Sequence, residues 1–341
     1  VTLADVLRAS GYATGGFTGN AGVSGGFGYD RGFDAYYAPP ATFGGLDESV
    51  PRALEWVRAN RDRPFFLFLH GYDVHGQYAP AGGLDYRFVD KDYDGRYRGS
   101  EHEQELLREE GLDRGALTLR DADVRFWRAV YDEKVQRADE RFGHFLAEFA
   151  KLGLNDRTVF VVTSDHGTEL YEHRRFDHGF TLYDELIRVP LVVAAPGGAG
   201  TAVTARVSSI DVMPTLLDLL GVEPPERAAK QMRGRSLVPA MRGEAAARDV
   251  FTETDYRAYT YKRCVVAPDG WKLVYTLESR TRELYDTAAD AGETRDLSRA
   301  EKGRADELER RLFAHFAGLG HDLRAREWRT GLNPVYASQG K

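Results

Sequence analysis

"TVFVVTSDHGTELYEHRRFDHGFTLYDELIRVPLVV", residues 158–193, consists of two apolar runs separated by a polar segment that is rich in histidine. The first run ends in Asp165 and His166, and the polar segment adds His173 and His178. Apolar runs of this length are typical of buried strands in α/β proteins. Ligands of open α/β sheets bind outside the carboxyl ends of the strands. The stretch therefore predicts an α/β fold with a histidine-containing site at one edge of its sheet.

The composition is that of a globular protein, and it limits the classes of partner. Of 341 residues, 42% are hydrophobic and 29% are charged, which suits one large α/β domain with an appendage, or two domains. The net charge is −7 with both signs mixed, so no nucleic acid partner is expected. No apolar run approaches the roughly 20 residues of a membrane span, and no secretion signal is visible. The single cysteine, Cys264, excludes an internal disulfide framework, and the oligomeric state stays open.

Upstream of this stretch, the pattern alternates between helices and strands. The first eleven residues predict a helix with a Thr2 cap and a Gly11 stop, followed directly by a strand. Residues 63–73 predict a parallel strand that is buried on both faces. Residues 76–120 predict a long surface excursion, and residues 121–154 predict a long helix or a helix pair. We therefore expect the first residues to lie within a series of alternating strands and helices.

The α/β pattern continues to about residue 222, and the pattern changes after residues 223–234. Strands are predicted over 157–165 and 186–197, and a Leu-rich helix over 209–222. Short strands joined by turns then follow, and a polar helix over 299–318 closes the chain. The pattern predicts an α/β domain with a small C-terminal antiparallel α+β part, with the break between them near 225–250.

Several polar residues at strand ends are candidates for chemistry. Asp165 offers an oxygen ligand to a hard cation, whereas His166 beside it suits a transition metal or a mixed site better. Asp73 and His75 form a second polar pair after another strand, and both pairs should converge at one sheet edge. His178 lies in a loop, where it suits a general acid or a clamp on an anionic substrate. The alternatives are a structural Asp-His-Gly turn and a solvated loop histidine.

Seven segments occur in the same order as in one enzyme family, and together they cover nearly the whole chain. Besides the stretch quoted first, they are "TLADVLRASGYATGGFTGN", "GFGYDRGFDAYY", "RPFFLFLHGYDVHGQYAP", "VYDEKVQRADERFG", "SSIDVMPTLLDLLGV", and "WKLVY" followed by "RELYDTAADAGETRDL". The chain resembles the sulfatases of the alkaline phosphatase superfamily. The resemblance implies a mostly parallel central sheet sandwiched by helices over residues 1–225. Residues 226–341 would form an α+β subdomain with a small antiparallel sheet and a terminal helix.

The resemblance also implies roles for particular residues. Asp165 and His166 would be ligands of a divalent cation, commonly calcium in sulfatases. His75 would contact the sulfate group or its leaving oxygen, and His178 would lie on the sulfate group, with His173 as a possible substitute. The substrate would be a small-molecule or saccharide sulfate ester, with His75 and His178 as the catalytic histidines.

The chain departs from the family pattern in one important respect. Sulfatases carry an Asp-Asp metal pair after their first strand, and then a Cys/Ser-x-Pro-x-Arg segment whose first residue becomes the formylglycine nucleophile. Neither occurs here, and Cys264 is followed by Val-Val-Ala. We therefore expect residues 1–225 to be an N-terminally incomplete domain that lacks the nucleophile and is inactive alone.

Two other readings stay open at this point. One is a phosphodiesterase or phosphonate hydrolase of the same superfamily, and the other is a pseudoenzyme that keeps the fold as a binding module. The location is expected to be periplasmic or extracellular if an upstream segment carries a signal peptide, and cytoplasmic otherwise.

Overall fold

The fold is given by a computed structural model of the chain. It describes residues 1–40, 43–80, 82–198, 200–244, 247–256 and 260–325. Within these residues, no helix is both long and apolar enough to cross a membrane.

The N-terminal part alternates helices with parallel strands. Its elements are α1 (Leu3–Ala9), β1 (Ala13–Phe17), β2 (Ala35–Tyr37), α2 (Leu46–Asn60) and β3 (Phe65–Leu69). The strands form a parallel sheet in the order β2-β1-β3. A Cβ atom at Gly15 of the central strand would lie 2.8 Å from the Trp56 ring of α2, so glycine lets this helix approach the sheet closely.

Two helices follow β3, and the first of them corrects a prediction. They are α3 (Glu101–Arg114) and α4 (Asp121–Ala150). Residues 76–120 were predicted to be a surface excursion, but α3 lies within them, and Leu107 and Leu117 are buried in one cluster with Trp127. A capping box between Ser100 and Glu103 starts α3. The prediction missed this helix because its apolar residues do not recur at helical spacing.

The middle of the chain carries short strands. Its elements are β4 (Phe160–Thr163), β5 (Glu169–Leu170), β6 (Phe176–Asp177), α5 (Asp184–Ile187), β7 (Leu191–Ala194) and α6 (Val212–Leu220). β5 pairs with β6, and β4 pairs with β7, both antiparallel. Single turns of 3-10 helix lie at Ala21–Val23, Gly25–Phe27, Asn155–Arg157 and Ser209–Asp211.

β4 and β7 differ from the buried strands that the sequence predicts. Both are shorter than predicted, and a helical turn replaces the first residues of the predicted strand 186–197. Pro190, which has no N–H to donate, stands directly before β7. Val162 and Val192 lie directly opposite each other and are 37% and 57% exposed. In the described part of the chain, β3 and β4 each have a strand partner on one side only.

The C-terminal part has a sheet and a core of its own. Its elements are α7 (Glu226–Gln231), α8 (Val238–Met241), β8 (Val250–Tyr256), β9 (Thr260–Val266), β10 (Trp271–Thr276), β11 (Thr281–Asp286) and α9 (Lys302–Gly318). The antiparallel sheet has the order β11-β10-β9-β8, and α9 packs its Leu308 and Leu312 against Leu273 and Leu284. The predicted fold class, a parallel sheet flanked by helices with a C-terminal antiparallel α+β part, is confirmed.

Candidate functional site

Three histidines from three separate loops meet at the carboxyl ends of the strands. His75 lies after β3, His166 lies after β4, and His178 directly follows β6. The ring centroids are 3.9 Å apart for His166 and His178, 5.2 Å for His75 and His178, and 6.2 Å for His75 and His166. One ring nitrogen from each lies within 4.8 Å of the others. We call these three side chains the histidine cluster.

Asp177 fixes the orientation of His178. Its side chain is 1% exposed, and one of its oxygens accepts a short hydrogen bond from Nδ1 of His178. The other oxygen accepts a hydrogen bond from Nε2 of Gln77 at 2.8 Å and lies 3.5 Å from Nη1 of Arg108. Burial by itself would raise the pKa of Asp177, but the bond from His178 and the charges around it lower this pKa below its usual range. The anionic Asp177 therefore keeps the proton of His178 on Nδ1 and leaves Nε2 free.

His166 has the same arrangement of its ring nitrogens. Its Nδ1 lies 2.7 Å from the carbonyl oxygen of Gly167, which can only accept, so Nδ1 carries the proton. A Cβ atom at position 167 would lie 1.9 Å from the carbonyl oxygen of Glu185, so the turn after His166 requires glycine. The Asp-His-Gly sequence is thus a tight turn that directs Nε2 away from the backbone.

A buried lysine supports the loop that carries His75. Nζ of Lys134 donates to the carbonyl oxygens of His75 and Gly76 at 3.0 and 3.2 Å. Burial lowers the pKa of Lys134 to about 8. Burial also lowers the pKa of His75 to about 4, and the neighbouring histidines add to this effect. His75 is therefore neutral at pH 7.

Asp165 lies beside the cluster and is open to solvent. Its side chain is 72% exposed, and its Oδ2 is 3.7 Å from Nε2 of His166. Its charge also acts on His70, whose pKa is lowered by burial and raised in part by Asp165. His70 directly follows β3 and accepts a hydrogen bond from the backbone N–H of Gly19 at 3.4 Å.

Two residues that the sequence grouped with the site have other partners. Asp73 is buried and accepts from the backbone N–H of Leu46 at 2.7 Å and from Arg141 at 2.9 Å, so it holds the start of α2. His173 was named as a possible substitute for His178. It instead lies 2.5 Å from Oε1 of Glu185, stacks on Tyr183, and belongs to a second group with Glu169 and Glu185.

The C-terminal sheet holds the loop that follows His178. Thr254 donates to the carbonyl oxygen of Gly179 at 2.8 Å. Asp184 lies further along this loop and makes two such contacts. The carboxylate of Asp184 accepts from Nζ of the buried Lys272 at 2.9 Å, and the backbone N–H of Asp184 donates to the carboxylate of Glu293 at 2.6 Å. These contacts join the loop after His178 to residues 75 to 109 positions downstream.

Sequence reasoning missed the residues that hold the cluster in place. Asp177 had a signal, because it directly precedes His178 in "FDHG", and a buried histidine commonly has a carboxylate partner. Gln77, Arg108 and Lys134 had none, since their contacts join residues that are 58 to 100 positions apart. Which of these residues act in catalysis stays a prediction.

Glu169 should make the stability of the protein depend on pH. Burial raises its pKa to about 7, well above the ordinary value of about 4.3 for a glutamate. Between these values the folded state binds more protons than the unfolded state, so stability falls as pH rises. We expect Glu169→Gln to raise the free energy of unfolding by about 1–3 kcal/mol at pH 8 and to change it little at pH 4. Urea unfolding at both pH values measures this. The exposed Glu105→Gln is the control, and parallel pH profiles for Glu169→Gln and the parent would contradict the expectation.

The ligand atoms at the cluster are too poor in oxygen to complete a calcium site by themselves. Calcium takes six to eight oxygen ligands at about 2.3–2.6 Å. The cluster offers three imidazole rings, and Asp165 beside it adds a single carboxylate. Among the described residues, no other carboxylate belongs to this group.

The comparisons with known proteins agree with the fold. The profile described as "Sulfatase" matches residues 1–222, and "N-sulphoglucosamine sulphohydrolase, C-terminal" matches residues 171–318. A choline-sulfatase from Rhizobium meliloti is 30% identical over 207 residues, which cover 60% of this chain and 38% of that protein. The chain spans about half or less of the length of the curated relatives it matches first.

Solved structures share the architecture at lower identity. A phosphonate monoester hydrolase from Silicibacter pomeroyi superposes with a TM-score of 0.70 at 21% identity, over 92% of this chain and 79% of that one. The protein BT4656, solved with its substrate D-glucosamine-2-N,6-O-disulfate, superposes with a TM-score of 0.66 at 19% identity, over 96% of this chain and 83% of that one. The sulfatase profile covers well over half of the sequence, and the chain therefore belongs to the sulfatase family.

Proposed function

We propose that this chain forms the main part of a hydrolase that cleaves the sulfate ester of a small molecule or a saccharide. The observation that carries the proposal is the histidine cluster, with His178 fixed by the buried Asp177. His75, whose Nδ1 accepts from the backbone N–H of Gln77 at 3.4 Å, offers a hydrogen-bond donor to an anionic group at the carboxyl edge of the strands. Family membership and the sulfated substrates named for relatives support this substrate class.

The two catalytic histidines would have different tasks. His75 is neutral at pH 7 because burial lowers its pKa to about 4, so it would donate a hydrogen bond to a sulfate oxygen. His178, once protonated on Nε2, would give that proton to the leaving oxygen, while the carboxylate of Asp177 holds its Nδ1. Asp177 would act as a positioning residue for this proton transfer.

The attacking group would come from outside residues 1–341. A Cys/Ser-x-Pro-x-Arg segment is absent from the sequence, and burial raises the pKa of the Cys264 thiol to about 12, which keeps it unreactive. The hydrated formylglycine of sulfatases supplies the oxygen that attacks sulfur. The family generally uses a divalent cation, and calcium at Asp165 and His166 would need further oxygen ligands from the same outside segment.

We expect the 341-residue chain by itself to show no turnover of an aryl sulfate, because it lacks a nucleophile. The protein from the complete reading frame, produced with a formylglycine-generating enzyme, should hydrolyse the ester. His178→Ala should then lower its kcat by about 10²–10⁴-fold. The exposed His144→Ala is the matched control. Turnover by the chain alone that His75→Ala abolishes would contradict the proposal.

A second candidate, a phosphonate monoester hydrolase, is favoured by the structural likeness to such an enzyme. Assays of the same protein with an aryl sulfate and an aryl phosphonate monoester separate the two. A higher kcat/KM for the phosphonate would replace the sulfatase proposal. Absence of turnover with both would favour a binding module.

A further inference from the structure

A second group of possible ligand atoms lies outside the histidine cluster. Glu169, His173 and Glu185 each offer one ligand atom, and these three atoms lie within 4.8 Å of one another. Glu169 belongs to β5, His173 to the turn between β5 and β6, and Glu185 to α5. We call these three side chains the Glu-His-Glu group. Because β6 and His178 come between its members in the chain, the group joins the segments on both sides of His178.

One carboxylate of this group is buried without a full set of partners. Glu169 is 0% exposed, and its Oε2 accepts from the hydroxyl of Thr181 at 3.0 Å. Its Oε1 has no hydrogen-bond partner among the described residues. A buried polar atom without a partner is costly, and native proteins usually satisfy it with protein groups, water or an ion. The free oxygen of Glu169 therefore points to a bound group that the protein side chains alone do not supply.

The ring of His173 presents Nδ1 to the group. Its Nε2 lies 3.2 Å from the carbonyl oxygen of Glu293, which can only accept, so Nε2 carries a proton. Its Nδ1 faces Oε1 of Glu185 at 2.5 Å, and Tyr183 stacks on the ring at a centroid distance of 3.6 Å. Metal-binding histidines commonly hold their second nitrogen with a backbone carbonyl. His173 thus has the arrangement of a ligand that binds through Nδ1.

The charges of the group favour a divalent cation over a proton. A proton on Nδ1 of His173 pairs with Glu185 but leaves the carboxylate of Glu169 uncompensated. A divalent cation balances both carboxylates while the imidazole is neutral. Zinc binds nitrogen and oxygen at about 2.0–2.2 Å, so the ligand atoms of a tetrahedral ion lie roughly 3.4 Å apart. Small rotations of the side chains reach this separation from the present ones of 2.5 to 4.8 Å.

The donor atoms select the class of cation. One imidazole and two carboxylates suit zinc and its neighbours in the first transition row, whereas calcium takes six to eight oxygens. The side chains of His173 and Glu185 are 14% and 17% exposed, so water can reach a fourth position. We propose that Glu169, His173 and Glu185 bind a zinc-like divalent cation outside the histidine cluster. The ion would tie β5 to α5 and so hold the segment that carries His178. This inference does not rest on sulfate ester hydrolysis.

Zinc titration of a chain with a broken histidine cluster tests this proposal. The 341-residue His178→Ala chain serves as the parent, so that ions held by the histidine cluster contribute little. After removal of metal by a chelator and dialysis, this chain is titrated with zinc chloride by calorimetry. We expect one zinc ion per chain, and zinc at 100-fold its dissociation constant should raise the melting temperature by at least about 3 °C. The X-ray absorption spectrum of the bound zinc should show a single imidazole ligand.

Substitutions in this parent identify the ligands. Glu169→Gln and His173→Gln should each weaken zinc binding at least about 100-fold, which exceeds the effect of losing an outer hydrogen-bond partner. Glutamine at position 169 keeps the volume of the side chain and can accept from Thr181, so circular dichroism should show a folded variant. The exposed Glu105→Gln and His144→Ala are the matched controls, and they should leave zinc binding unchanged.

Three results would overturn the proposal. They are a His178→Ala chain that binds no zinc, a Glu169→Gln variant that binds zinc as tightly as its parent, and bound zinc with two or more imidazole ligands. The last result would place the ion on the rings of His75 and His166. Glu185→Gln, on another element, serves as the second variant if Glu169→Gln does not fold. Each measurement concerns binding alone, so none depends on whether the proposed hydrolysis occurs.

Discussion

Replacing Lys272 by methionine should lower the free energy of unfolding by about 3–5 kcal/mol. Lys272 is fully buried, and its Nζ lies 2.9 Å from Oδ1 of Asp184 and 2.7 Å from Oε1 of the equally buried Glu293. Methionine fills a similar volume but leaves two carboxylates in the interior without a cation. The cost of such a broken pair exceeds that of most single substitutions.

The loss should depend on pH. Burial raises the pKa of Glu293 even with Lys272 present. Without the ammonium group, this carboxyl stays protonated to higher pH in the folded state, and stability then falls as pH rises. Urea unfolding at pH 5 and pH 8 should show the larger loss at pH 8. Lys151→Met removes a surface pair with Glu148 and should cost less than about 1 kcal/mol. If Lys272→Met lowered the free energy of unfolding by no more than Lys151→Met does, the prediction would be wrong.

The second large effect concerns self-association. Val162 and Val192 form an exposed cross-strand pair on a two-stranded sheet, and β4 has no second strand partner among the described residues. Exposed apolar strands with free edges pair with other chains. We expect the chain to self-associate, and the double variant Val162→Glu/Val192→Lys to raise the dissociation constant at least tenfold. The opposed charges also form a favourable cross-strand pair, so folding should be retained.

Light scattering after size exclusion measures this effect over a range of protein concentrations. Val135→Glu/Val203→Lys is the matched control, because it places the same two charges at exposed valines elsewhere. A monomeric parent, or equal loss of association in both double variants, would show that the β4–β7 sheet is not the contact.

The fold could be predicted where local signals agree with packing. Thr2 and Asp5 form the capping box of α1, and Gly221 ends α6 in the left-handed conformation, as the sequence signals indicate. The sequence of helix α3 has a cap signal at its start. The helix was still missed, because its apolar residues do not form a stripe along one face. The antiparallel pairing of β4 with β7 depends on the path of residues 164–190, which connect the two strands. No local sequence pattern determines that path.

The site was predictable only in part. Strand ends indicated His75 and His166, because side chains after neighbouring strands meet at one sheet edge, and His178 was indicated by its position in the following loop. The sequence could not show that Asp73 and His173 lie outside the cluster. Asp73 accepts from the first backbone N–H of α2, and His173 contacts Glu185. Those outcomes depend on partners distant in sequence, whose positions only the folded chain defines.

The attachment of the His178 loop to the C-terminal sheet has a consequence for synthesis. The backbone N–H of Asp184 donates to Glu293, which is made 109 residues later in the chain. Ribosomes add about 5–20 residues per second. For roughly 5–20 s, the nascent chain carries the residues of the cluster before the groups that hold their loop have been made. During that interval the loop is open to proteases and chaperones, and it acquires its final shape only when the last third of the chain has emerged.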